Sequence, residues 1–226
     1  MKKIYIIIFL SIITAIIITI IISFIYSKNK YTHPLTPHQK KSGLPKKRIS
    51  TIKKEDKIIF PNYFPDSIIS QLDLIHVKYI NYNNSIDSGY LLVNKKIHLE
   101  VQSIFKGLFS RGFLISKVST GVEFNFSDSL MMENNITSCF NYRQVNGSRR
   151  LSQHALGMAI DINPRQNPFI YSTDKKYPLN SIYDTEVLGT VFGGGICEEI
   201  FKKYNWKWGG DWRSFKDYQH FSKNGH

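Results

Sequence analysis

The sequence predicts an α+β domain, a small antiparallel sheet with flanking helices, preceded by one transmembrane helix. Three observations carry this reading. Leu72 to Tyr82 alternates apolar and polar residues at the two-residue period of a strand. Ile97, Val101, Ile104, Phe105, Leu108 and Phe109 recur at the three- and four-residue spacing of a helix. Ile4 to Tyr26 is an uncharged, isoleucine-dominated run of 23 residues, longer than the core of a cleavable signal and long enough to span a bilayer.

The leader comes first. Ser23-Phe-Ile-Tyr-Ser27 is too bulky for a small-x-small cleavage site, and no cysteine lies nearby to take a lipid, so residues 1–27 read as an uncleaved signal anchor in preference to a removed signal peptide. Lys2 and Lys3 favour a cytoplasmic N-terminus. Lys28, Lys30, Lys40, Lys41, Lys46, Lys47 and Arg48 follow the span and oppose export, so charge alone leaves the orientation open.

Residues 28–58 mix Pro34, Pro37 and Pro45 with Lys, Ser and Thr and read as a basic flexible linker, able to touch anionic lipid or wall polymer. The chain carries +13, yet 12 of its 30 Lys and Arg and only 2 of its 17 Asp and Glu fall in the first 60 residues. The basic excess thus belongs to leader and linker. With no reading module beside it, nucleic-acid binding is excluded. The remaining 59–226 is one domain of ordinary size, read as a monomer, and 42% apolar residues can supply its core.

In Leu72–Tyr82, Ile75, Val77 and Tyr79 share one face and His76 and Lys78 the other, which makes His76 an exposed strand residue; Asn83 to Gly89 then supplies a turn. Asn94 is placed to cap the following helix, Gly112 to end it, and His98 falls off its apolar stripe. Phe113–Val118 reads as a further short strand. Thr137–Arg143 has strand character, with Cys139, Asn141 and Arg143 on one face and Phe140 and Tyr142 on the other. Gly193-Gly-Gly195 is a flexible connection to a helix carrying Ile196, Ile200 and Tyr204. It lacks the lysine and hydroxyl residue of a phosphate loop.

The chemistry concentrates in Ser152 to Asn163 and Asp217 to Phe221. Alternation from Met158 to Ile162 puts Met158, Ile160 and Ile162 on one strand face and Asp161 on the other. An unbroken strand would send His154 and Asp161 to opposite faces, so the chain must turn between them, and Gly157 permits it. The three-residue separation of Asp217 and His220 places both on one side of a helical turn. His154, Asp161 and His220 form a nitrogen and oxygen set suited to zinc with one position left open, and Asp217 beside it suits a base. Ser152 lacks a G-x-S-x-G elbow and is assigned to hydrogen bonding near metal or substrate. Trp206, Trp208 and Trp212 flank Gly209 and Gly210, which suits a peptide groove or plain core packing, and Asp211 is placed to orient a metal histidine. Arg149 and Arg150 read as surface charges. Cys139 and Cys197 read as buried thiols.

Together, Ser152-x-His154-x-x-Gly157-x-Ala159-x-Asp161, Trp208-Gly-Gly-Asp-Trp212 and Asp217-x-x-His220-Phe221 resemble the M15-type zinc D-alanyl-D-alanine carboxypeptidases and L-alanyl-D-glutamate endopeptidases, and most of all the endolysin-like branch with Asp as base. Upstream, Asn134-Asn-x-Thr-Ser-x-Phe-Asn-Tyr-Arg143 is similar to the segment preceding the first motif. The resemblance covers about Leu72 to Phe221. It implies a hedgehog/DD-peptidase-like fold, zinc on His154, Asp161 and His220, Asp217 as general base, and Arg143 on the substrate carbonyl or carboxylate, with a structural salt bridge as the other reading of Arg143. Ser152, Trp208, Asp211 and Trp212 are the expected substrate-binding residues. The implied substrate is the peptidoglycan stem peptide, cut between L-Ala and D-Glu in preference to D-Ala-D-Ala, by a catalytic domain held in the cell envelope on the periplasmic or extracellular side. A tethered zinc domain that binds wall peptide without cutting it, and a phage-type lysis enzyme, are the alternatives.

Overall fold

The computed structural model describes residues 48–53, 56–172 and 175–225. The expected transmembrane helix and the expected linker as far as residue 47 lie outside the described residues. Among the described residues no helix is long and apolar enough to cross a membrane.

Arg48–Lys53 (β1) and Asp56–Phe60 (β2) pair antiparallel, so part of the stretch read as linker is a hairpin. Lysines and prolines dominate its composition, but Ile49, Thr51, Ile52, Ile58 and Ile59 are β-branched residues that favour extended backbone. Phe60 at its end packs with Phe64, Phe126 and Phe140 in an aromatic cluster, stacked on Phe126 at 5.7 Å. A short helix, Asp66–Ile69 (α1), leads to the long hairpin of Leu72–Ile80 (β3) and Ile86–Asn94 (β4).

That hairpin pairs in continuous register from Leu72↔Asn94 to Ile80↔Ile86. Ile75, Val77 and Tyr79 are buried and His76 and Lys78 exposed, as the alternation requires. The turn is tighter than Asn83–Gly89 suggested. Asn81 Oδ1 accepts the N–H groups of Asn83 and Ser85, closing the loop so that the strand resumes at Ile86. Gly89 lies inside β4, where a Cβ would sit 2.3 Å from the Val118 carbonyl oxygen, so only glycine admits Lys117–Val118 (β5) this closely. β5 pairs parallel with Ile136–Thr137 (β6), while the rest of Phe113–Val118 makes a single bridge, Leu114 to Ile80.

His98–Ser110 (α2) buries Val101, Ile104, Phe105 and Leu108. Its N-cap is Ile97, three residues past the expected Asn94, because β4 runs on through Asn94 and a turn intervenes. His98 is partly exposed and pairs with Asp73 at 3.1 Å. Asp128–Glu133 (α3) is capped by Ser127, and Ile196–Lys203 (α4) follows the glycine run. Ile200 and Phe201 of α4 meet the α2 stripe and the β3–β4 residues Ile75, Val77, Leu91 and Val93 in the main core, which also takes both free cysteines.

Six short strands complete the fold: Ala159–Asp161 (β7), Phe169–Ser172 (β8), Lys175–Tyr177 (β9), Lys207–Trp208 (β10), Lys216–Asp217 (β11) and His220–Ser222 (β12). They form two three-stranded antiparallel sheets, in the orders β10-β12-β7 and β11-β8-β9. The mixture of helices with small separate sheets is α+β.

Candidate metal centre

The first histidine is placed by a turn. His154–Leu156 form one 3-10 turn, closed by Gly157 at φ 64°, a conformation that only glycine adopts without strain. A Cβ at Gly157 would lie 2.8 Å from the Asn94 backbone nitrogen. Asn94 latches this turn, its N–H donating to the Gly157 carbonyl and its Nδ2 to that of Leu156, both at 2.9 Å. The residue read as a helix cap instead ties the long hairpin to the histidine loop.

After Gly157 the chain enters β7. Ile160 and Ile162 join the main core and Asp161 emerges on the other face. β12 pairs with β7 so that His220 stands opposite Asp161. Asp217 and His220 therefore do not share a helical turn, as their spacing suggested: they sit on β11 and β12, joined through Tyr218-Gln219, and the change of strand turns both toward one place. The i,i+3 spacing could not reveal this, because a two-residue connection produces the same separation.

His154 Nε2, His220 Nδ1 and Asp161 Oδ1 form a tight triangle with edges of 3.1, 3.2 and 3.3 Å. All three side chains are buried and together can hold a metal ion. His154 Nδ1 is 2.7 Å from the Cys139 carbonyl oxygen. That acceptor fixes the proton on Nδ1 and leaves the Nε2 lone pair facing the site. Asp211, expected to orient a histidine, is exposed. The orienting atom is a backbone carbonyl, which no side-chain pattern discloses.

Electrostatics point the same way. Burial penalises the Asp161 carboxylate, yet the charges and hydrogen bonds of His154 and His220 outweigh it and hold Asp161 well below the usual carboxylate range. Burial would lower His154, but Asp161 outweighs it and raises the imidazole. Asp161 and His154 thus both favour positive charge at this point. Asp217 differs: burial, with Asp161 adding and His220 opposing, pushes its carboxyl up to about 6. Asp217 Oδ1 and His220 Nε2 are buried without a hydrogen-bond partner among the described residues. Such atoms are uncommon and mark a place prepared for something else.

Thr137–Arg143 laces along this site. Ser138 exchanges both backbone hydrogen bonds with Asp161, the Asn141 N–H donates to the His154 carbonyl, and the Arg143 carbonyl accepts from Ser152. Arg143 is half-buried, with Nε 3.2 Å from Asp128 Oδ2. Burial opposes its charge, but Asp128, then Asp161 and Asp217, raise it further. The salt-bridge reading of Arg143 therefore holds, and its guanidinium also lies within the field of Asp161 and Asp217. Asp128, which also accepts from Asn141 Nδ2 at 3.0 Å, went unnoticed in the sequence because nothing in its local pattern marks it.

Ser152 Oγ accepts the Ala155 N–H at 3.1 Å, capping the histidine turn from beneath. Trp208 is buried in the core and donates its indole N–H to the Tyr218 carbonyl, so of the expected groove residues it is corrected to a packing role. Gly209 and Gly210 serve that packing, since a Cβ at Gly209 would stand 2.5 Å from the Asp217 carbonyl oxygen and one at Gly210 would enter the Trp208 ring. Trp212 is half-buried with its ring 5.4 Å from that of His220.

Residues 146–223 match the family model described as D-alanyl-D-alanine carboxypeptidase. That match spans about a third of the chain and relates this segment to the M15-type peptidases. The matched segment contains His154, Asp161 and His220, Asp217 and Trp208–Trp212, whereas Arg143 and Asp128 lie upstream of it and rest on geometry alone. No curated protein and no solved structure matches the chain. The match suggests peptide hydrolysis by a metal-dependent enzyme, and His154, Asp161 and His220 could hold the metal.

Proposed function

We propose that the domain is a zinc peptidase that hydrolyses peptidoglycan stem peptides, cutting between L-Ala and D-Glu in preference to D-Ala-D-Ala, in a cell-envelope location reached through the N-terminal anchor. The observation that carries it is the buried triangle of His154, Asp161 and His220 with the buried, unpartnered Oδ1 of Asp217 beside it. Donors bound tetrahedrally at 2.0–2.1 Å stand about 3.3 Å apart, close to the 3.1–3.3 Å edges here. Two imidazoles and one carboxylate are a donor set that zinc prefers.

When bound, zinc supplies a Lewis acid and a water acidified to a pKa of about 7. The residues do the rest. Asp217, raised toward neutrality by burial, is matched to accept a proton as the scissile carbonyl is attacked and to return it to the leaving amine. Arg143, held by Asp128, offers a planar cation to the substrate carbonyl or carboxylate. The Cys139 carbonyl keeps His154 in one tautomer throughout. Preference for the L-Ala-D-Glu bond rests on the resemblance of Asp217-x-x-His220 to the endopeptidase branch.

The test is mass spectrometry of defined stem peptides incubated with the protein, with zinc and with a chelator. Chelator-sensitive cleavage between L-Ala and D-Glu is expected. Loss of a terminal D-Ala would move the assignment to carboxypeptidase, and no cleavage by the folded, zinc-loaded protein would leave a wall-peptide binding domain.

A further inference from the structure

The β11-β8-β9 sheet carries more aromatic surface than packing needs. Asp217 on β11 stands opposite Phe169 on β8, which stands opposite Tyr177 on β9. Directly opposed residues in antiparallel strands share a face, so both rings lie on the face of the sheet that carries the candidate base. Ring contacts extend the line without a break. From the His220 imidazole it is 5.4 Å to Trp212, 5.2 Å on to Phe215, 5.4 Å to Phe169 and 5.6 Å to Tyr171, whose ring is stacked on Phe169.

This line runs outward into solvent. Phe215 is 41% exposed, and Tyr171 and Tyr177 are each 44% exposed, whereas Phe201, Phe221 and Trp206 are buried in the core. A contiguous exposed apolar patch of this kind marks a binding surface. At its far end the Lys175 ammonium lies 6.0 Å from the Tyr171 ring centroid, adding a cationic donor beside the phenol.

We propose that this aromatic face is a saccharide subsite, which receives the sugar joined to the stem peptide while the peptide lies across the metal centre. The proposal rests on the peptidase reading above and deepens it. Flat rings offer the C–H faces of a pyranose an apolar, weakly negative surface, and the tyrosine hydroxyls and Lys175 can meet its hydroxyls and acidic substituents. Continuity selects the occupant. The line begins on a metal-ligating histidine, so whatever lies on it is joined to the substrate a few atoms from the reacting bond. An extended peptide advances about 3.3–3.6 Å per residue. A sugar one residue from the scissile bond, as at L-Ala-D-Glu, therefore starts at the His220 end of the line, beside Trp212.

The experiment uses the full-length chain and two probes, the disaccharide-pentapeptide of peptidoglycan and the same pentapeptide without sugar. KM is measured by mass spectrometry on the zinc-loaded protein, and Kd on the metal-free protein by calorimetry. The sugar-bearing probe is expected to bind about tenfold more tightly, the scale of one or two aromatic contacts. Tyr171→Ala and Phe215→Ala, both at exposed positions, should bring that ratio toward one while kcat on the sugar-bearing probe holds. A ratio of one in the wild type overturns the subsite, as does equal weakening of both probes by the variants. So does binding of the face to phosphatidylglycerol vesicles without any sugar preference. If neither probe is cleaved, the peptidase reading fails, and the ratio of Kd values still decides the subsite.

Discussion

His220 on β12 stands in register with Asp161 on β7, and its Nδ1 lies 3.3 Å from Asp161 Oδ1. A cross-strand pair thus supplies two of the three candidate metal donors, with rigidity drawn from backbone hydrogen bonds. Replacing His220 with Ala should weaken zinc by more than the roughly 10–100-fold seen when outer partners are removed, with the fold kept. Competition against a chromogenic chelator measures it.

Asp217→Asn is expected to lower kcat by about 10²–10⁴, the usual contribution of a general base, with zinc still bound. Steady-state kinetics beside metal analysis separates the two effects.

The same substitution has a consequence for stability. Asp217 is raised from 3.8 to about 6, so the folded state favours the protonated carboxyl. Its contribution is full below about pH 4 and is lost as pH rises through 6. The metal-free Asn variant should therefore match wild type near pH 4 and exceed it above pH 6, by on the order of 2–3 kcal/mol. Urea denaturation at the two pH values tests this, and an advantage at low pH in place of high would refute it.

In the metal-free protein His154 holds its proton to a higher pH than an ordinary histidine because of Asp161. Zinc must displace that proton from Nε2. Affinity should fall about tenfold per pH unit below the raised value, and calorimetry in buffers of different ionisation enthalpy should detect proton release.

Asp128→Ala frees Arg143 Nε and Asn141 Nδ2 together. The expected result is a raised KM with zinc affinity unchanged, since neither donor touches the triangle. Asp128→Asn, which keeps an acceptor, should recover part of the loss.

Gly157→Ala should destabilise the domain by about 1–3 kcal/mol from backbone strain alone. The 2.8 Å approach to the Asn94 nitrogen adds to this, and zinc affinity should fall in parallel as the His154 turn shifts.

The sequence by itself determined what depends on neighbours along the chain. Alternation placed Ile75, Val77 and Tyr79 inward and His76 outward, the three-four spacing marked the stripe of α2, and the turn at Gly157 followed from the need to bring His154 and Asp161 to one side. The three candidate ligands, with Asp217, were equally legible, because donor chemistry is a property of the side chains themselves. Tertiary structure alone decided how Asp217 and His220 converge, since a helical turn and a change of strand give the same three-residue spacing. It also put Trp208 in the core, set the Cys139 carbonyl in place of Asp211 behind His154, and brought Asp128 to Arg143. Each of these depends on which backbone comes to lie beside which, and the strand pairings that arrange it join segments tens of residues apart.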